Sequence, residues 1–170
     1  EGIDVTLVAG VRSGDEPHAI REPDGLRIVA AHGKVLVPRI GFASFFSLAV
    51  ARAIFRTVAR VDVAHVSIAR EAVAIWACIA CILLRTPFVA QPHGMLTARS
   101  GTRQRVLDVI VKPLFRRAAV VIALTEVEAA RLKSWCGRDT PPIRCIGNPS
   151  LDTSAVLRAP KQGEAVFIAR

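Results

Sequence analysis

Residues 119–124 read AVVIAL, six apolar residues in a row without alternation. A strand with one wet face alternates apolar and polar side chains. A continuous apolar run instead fits a strand covered on both faces, as in a parallel sheet with helices on either side. The flanking segments supply those helices. Upstream, residues 103–118 place Val106, Leu107, Ile110, Val111, Leu114, Phe115 and Ala118 in a stripe at helical spacing. Pro113 within that stripe predicts a kink or a restart, because proline cannot donate to the preceding turn. Downstream, Thr125 opens a TEVE capping box in which Glu128 can reach back to the cap, and Gly137 is a natural C-cap for a helix ending near Cys136.

The same alternation runs through the rest of the chain. IDVTLVA (3–9), LRIVAA (26–31), VDVAHVSI (61–68), TPFVAQ (86–91) and PIRCI (142–146) read as strands. Residues 12–25 form a polar loop ending in an Asp-Gly turn. Residues 42–60 read as a helix with Phe46, Ala49, Val50, Ala53 and Ile54 on one side and Arg52, Arg56 and Arg60 on another. Residues 71–84 read as a helix buried against the sheet, and GNPSLDTS (147–154) as a turn-rich linker. Apolar residues make up 52% of the chain but aromatic ones only 5%, so the core must be built from Val, Ile, Leu and Ala. The fold expected is α/β, a Rossmann-like parallel sheet with helices on both faces.

In such sheets ligands sit beyond the carboxyl ends of the strands. His93 lies two residues past TPFVAQ, in the turn PHGM, whereas His65 lies inside a strand. Position therefore singles out His93, and Gly94 beside it lets a ligand approach the backbone closely. Arg70 and Glu71 follow the strand ending near Ile68 and share that side. Arg70 is a candidate for binding a phosphate or acidic sugar, with ordinary helix capping as the alternative. Arg99 and Arg103 flank the turn loop as candidate substrate contacts. Glu126 and Glu128 read as helix N-terminal residues favoured by the dipole.

The net charge is +9, which suits a partner carrying phosphate or anionic lipid, or simply a soluble arginine-rich protein. Nucleic acid is disfavoured: no helix-turn-helix spacing, zinc-finger spacing or aromatic interleaving accompanies the arginines. Cys78 and Cys81 form a CxxC inside the apolar run AVAIWACIACILL, away from a helix N-terminus and without a second ligand pair. They read as buried core thiols in a reducing, cytoplasmic setting, not as a redox or metal site. The run from Ala72 to Leu84 would be ~20 Å long as a helix. That is short of the ~30 Å bilayer core.

In order, DVAHVS (62–67), TPFVAQPHGML (86–96), VKPLFRRAAVVIALTEVEAARL (111–132) and IRCIGNPSL (143–151) resemble the N-terminal, acceptor-side domain of a family 4 glycosyltransferase with the GT-B fold, and VFIAR (166–170) resembles the first strand of its donor-binding domain. The resemblance covers residues 60–170 well and the first 59 loosely. It implies an acceptor-side domain over residues 1–147, an interdomain linker over 148–164 and the start of a donor-binding domain at 165–170. It also implies that a first strand, a glycine-rich loop and a helix precede Glu1. Members transfer a sugar from a nucleotide-sugar, UDP- or GDP-linked, with retention of configuration, and need no cofactor or essential metal. The implied role of His93 is a cleft contact beside the transferred sugar, and that of Arg170 a contact to the donor diphosphate. The implied acceptor is a glycan or a lipid-linked sugar, in polysaccharide or glycolipid synthesis. The implied place is the cytoplasm, peripheral to the inner face of the membrane, with the basic helices against anionic lipid.

Two departures are visible. Ser67 stands where the family often has a second histidine, and the usual Pro-Asn-Gly linker appears as Gly147-Asn148-Pro149. Two other readings stay open, a nucleotide-binding Rossmann module of a dehydrogenase or epimerase and a non-catalytic interaction domain. The first needs a GxGxxG after a strand, and these residues contain none.

Overall fold

The computed structural model describes residues 3–12, 26–96 and 101–147, with the backbone alone at positions 12, 40, 42, 102 and 103. Strands β1 (Val5–Arg12) and β2 (Leu26–Val35) pair in parallel, Val5 opposite Leu26. A 3-10 segment, Pro38–Ser44, leads to the short strand β3 (Phe45–Phe46), antiparallel to β2 with Phe45 opposite Val35. The helix expected over 42–60 is therefore shorter: α1 spans Leu48–Val58. Its start is set by Ser47, whose Oγ accepts the Val50 N–H at 3.1 Å and donates to the His32 carbonyl at 2.5 Å. That hydroxyl caps the helix and ties it to β2. The Phe45 ring lies directly on Gly10 and Gly33, where a Cβ would collide with it. Close packing of this kind gives a strand glycine its purpose.

The second unit is the parallel sheet β4 (Ala64–Ser67), β5 (Phe88–Gln91), β6 (Val120–Ala123) and β7 (Ile143–Cys145), in that order. Ala64 lies opposite Phe88, Val89 opposite Val120, and Val121 opposite Ile143. Helices α2 (Ala72–Leu84), α3 (Thr102–Phe115) and α4 (Glu126–Cys136) connect these strands, as the sequence pattern requires. The expected parallel sheet flanked by helices is present, with one difference. The strands divide into two sheets, and among the described residues no strand of β1–β3 pairs with one of β4–β7. Helix α1 joins them by packing on β1 and β2 and against α2, which packs on β4. One core runs through both, from Phe45, Val50 and Ile54 to Val66, Phe88, Val121 and Leu132.

Cys78 and Cys81 are buried on α2, as read from the sequence. Burial pushes the Cys78 thiol up to about 12 and Cys81 up to about 11. Neither supplies a thiolate near neutral pH. Arg85 ends α2 in the left-handed region, φ 58, and the Thr86 N–H reaches back to the Cys81 carbonyl at 2.9 Å. Among the described residues no helix is long and apolar enough to cross a membrane.

Helix α3 departs from expectation twice. It runs through Pro113 without interruption. The bond forgone there belongs to the carbonyl of Val109, a residue 73% exposed, so water can take the donor's place. Its apolar stripe is also split: Val111 and Phe115 are buried, whereas Val106 and Ile110 face outward, as does Val109 outside the stripe. Residues 106–115 are apolar on more than one side, and helical spacing alone does not choose which side packs.

Candidate functional site

The site starts from the end of β5. Pro92, fully buried, stops the strand, and Leu96, also fully buried, anchors the chain on the far side of the turn. Between them the Met95 N–H donates to the Pro92 carbonyl at 2.8 Å. Both central residues have positive φ, 48° at His93 and 73° at Gly94, the mark of a type I′ turn. Glycine adopts this region at little cost, and histidine is among the few other residues found there with some frequency. A Cβ built on Gly94 would meet nothing within 4 Å, so the backbone angle, not crowding, calls for glycine. The turn thus lifts His93 past the carboxyl end of the strand. The residue is half-buried, and among the described residues its imidazole has no hydrogen-bond partner.

Two ionic groups hold this turn from opposite sides. From α4, the Glu128 carboxylate accepts the Gly94 N–H at 2.5 Å and the Leu124 N–H at 2.7 Å. The Glu128 N–H is itself capped by Thr125 Oγ at 3.1 Å. The Thr125 cap is as the sequence suggests. The Glu128 side chain, however, does not return to the Thr125 N–H. It spans from the backbone before the cap to the neighbouring strand's turn. From the end of β4, Arg70 donates Nη1 to the Met95 carbonyl at 2.8 Å and Nε to Asp108 Oδ1 at 2.8 Å. The other oxygen of Asp108 accepts the Trp135 indole N–H at 2.9 Å. The Arg70 guanidinium and the Lys112 ammonium lie 5.8 and 5.3 Å from the Trp135 ring centroid. Phe115 meets the same ring edge-on at 5.3 Å.

Beside the turn lies a recess of about 240 Å³ lined by Ala69, Arg70, Glu71, Met95, Gln104 and Leu107. Desolvation by burial raises the Glu71 carboxyl above its ordinary 4.5. A second recess of similar size, about 250 Å³, opens at the opposite end of β5 between Arg85, Thr86 and Arg117. The first is the better candidate, because it adjoins the carboxyl ends of the strands, where parallel sheets take their ligands. It offers an arginine, a half-buried carboxyl and an amide against an apolar floor, a combination suited to a hydroxylated substrate with a less polar face.

Of the residues singled out from sequence, His93, Gly94 and Arg70 meet here. Arg103 starts α3 beside them, with only its backbone described, and Arg99 and Arg170 lie outside the described residues. Sequence reasoning missed Asp108, Trp135 and the reach of Glu128. One signal pointed to Asp108: it is the single acid in a helix carrying Arg103, Arg105 and Lys112. Among the described residues no cluster of His, Cys, Asp and Glu could hold a metal ion.

The family model described as Glycosyltransferase Family 4 matches residues 1–149. The chain belongs to glycosyltransferase family 4. No curated protein and no solved structure matches it. The turn and recess sit at the carboxyl edge of the parallel sheet, where such sheets take their ligands.

Proposed function

We propose that this family 4 domain forms the acceptor side of a retaining GT-B glycosyltransferase. In this reading a UDP- or GDP-sugar gives up its sugar to a glycan or lipid-linked acceptor, in polysaccharide or glycolipid synthesis at the cytoplasmic face. The observation that carries it is the type I′ turn presenting His93 beside the Arg70–Glu71 recess, in a chain of this family. The bond from the anomeric carbon to the diphosphate breaks, and a bond from that carbon to the acceptor oxygen forms. The acceptor's proton passes to the departing diphosphate. His93 bonds the hydroxyls of the moving sugar through its imidazole nitrogens, which can donate or accept. Arg170, at the start of the donor-binding domain, offsets the growing charge on the diphosphate. Glu71 and Gln104 offer hydrogen bonds to the acceptor.

An anionic lipid surface is the partner this reading adds. On α3 the outward residues Val106, Val109 and Ile110 are bordered by exposed Arg105, Arg116 and Arg117. Apolar residues bordered by arginines suit the headgroup–acyl boundary.

The test uses the full-length enzyme and a panel of UDP- and GDP-sugars, reading donor hydrolysis and transfer to lipid-linked and glycan acceptors. Hydrolysis of one donor, lost on the order of 100-fold in His93→Asn, is the expected result, since asparagine keeps the turn's preferred angles but not the imidazole. No donor consumed by the wild type, or an undiminished His93→Asn, overturns the reading.

A further inference from the structure

We infer that Glu128 is the positioning residue for His93. The inference rests on the reading of His93 as the sugar-contacting group, and goes beyond it by naming what aims that group.

The N–H that Glu128 Oε1 accepts belongs to the peptide joining His93 to Gly94. That peptide is the central one of the turn, and its orientation separates two turn types. Type I′ has positive φ at both central residues and type II′ only at the first. Rotating the central peptide interconverts them while the bond closing the turn survives. Positive φ at Gly94 as well as at His93 identifies the I′ form here. A carboxylate oxygen 2.5 Å from the Gly94 nitrogen is satisfied only in that form, because rotation would turn the N–H away and the carbonyl toward it. The observed orientation of the turn is thus chosen by Glu128, and with it the placement of the imidazole.

The carboxylate is well fitted for the task. It is 8% exposed, so water competes little for its oxygens. Its second oxygen is fixed by the Leu124 N–H at 2.7 Å, and its own backbone by Thr125. A group held at two points leaves the third, Gly94, little freedom. Both carboxylate bonds go to backbone N–H groups, so Glu128 has no need of a particular side chain in β6 or in the turn.

The experiment takes the full-length enzyme through a cycle of His93→Asn, Glu128→Gln and the double variant. A glutamine offers one oxygen for two N–H groups and turns its own NH₂ against the other. Two readouts are used: kcat against KM for the donor, and the Gly94 amide signal by NMR. The expected result is a kcat lower by on the order of 100-fold in Glu128→Gln with KM changed little. The double variant should be no worse than His93→Asn alone, and the Gly94 signal should shift or double. Additive losses would show that Glu128 acts on the fold and not through His93, and would sink the proposal. So would a Gly94 signal unchanged by Glu128→Gln. A shifted Gly94 signal together with a fully active His93→Asn would instead remove His93 from the chemistry and leave Glu128 as the arbiter of the turn alone. Should Glu128→Gln fail to fold, amide exchange in the wild type decides. Gly94 lies on an exposed turn, so protection of its N–H well above that of other exposed turn amides is expected, and free exchange refutes the bond.

Discussion

Asp108→Ala is the substitution whose cost the structure specifies best. The two oxygens of Asp108 serve two donors, Arg70 Nε at 2.8 Å and Trp135 Nε1 at 2.9 Å. The side chains of Arg70 and Asp108 are only 10% and 15% exposed, so the pair is largely dry. Removing one member of a buried ion pair costs about 3–5 kcal/mol, mainly through the charge left behind. An indole N–H stranded without an acceptor costs about 1–3 kcal/mol more. The two penalties do not simply add, because they share one carboxylate and the vacated space can admit water. Arg70 also keeps its bond to the Met95 carbonyl at 2.8 Å. The expected loss is therefore about 4 kcal/mol, a large share of the about 5–15 kcal/mol typical of a domain. Asp108→Asn keeps one acceptor but aims an NH₂ at the second donor, and should fall about midway. Urea unfolding followed by tryptophan fluorescence measures both, with the m-value unchanged from wild type. A loss below about 1 kcal/mol for the alanine variant, or equal losses for the two, would refute the bridging role of Asp108.

Glu71 sets a pH dependence of definite sign. Desolvation raises its folded-state value above 4.5, so the folded protein retains a proton that the unfolded chain has released, and stability declines as pH rises from 4.5 through the raised value. Glu71→Gln should abolish that decline, raising the urea midpoint at neutral pH and leaving it unchanged below the ordinary value; a pH profile identical to wild type contradicts this. On α3, Val109→Glu combined with Ile110→Glu should weaken sedimentation of the protein with phosphatidylglycerol vesicles at least about tenfold, since even partial burial of two such side chains supplies more than ~1.4 kcal/mol. Undiminished binding would dismiss α3 as the contact.

What could be read in advance followed from local rules. Pro92 and Gly94 punctuate the chain after an apolar strand, so the turn and its place in the sheet were legible from nine residues, Phe88 to Leu96. The Thr125 cap and the Gly137 end of α4 were legible for the same reason. What escaped depends on partners distant in sequence. Glu128 and Gly94 are 34 positions apart, Arg70 and Asp108 are 38, and no spacing rule connects either pair. Phe45 and Phe46 fitted a helical pattern equally well. They became a strand because Val35 and Lys34 offered a ladder and the Phe45 ring found two glycines to lie on. The outward face of α3 was misjudged because its apolar residues occupy two faces. The choice between them was made by Asp108, which turns its own face toward Arg70 and Trp135.

The division into two sheets gives the domain an order of failure. A ladder of backbone bonds resists shear along its whole length, whereas a seam of side chains yields wherever its packing loosens. Between β1–β3 and β4–β7, among the described residues, there is only such a seam, made by α1 against α2 and by Phe46 of β3 stacked on Trp76 of α2 at 5.5 Å. Sub-global opening follows boundaries of this kind. Among the described residues of β1 and β2 only Ala31 and Gly33 are buried, against Val66, Phe88, Ala90, Val121 and Ala123 in β4 to β6, so amides of β1 to β3 become accessible first on warming, while β4 to β7 stay closed. The half that carries the His93 turn is the last to lose its shape.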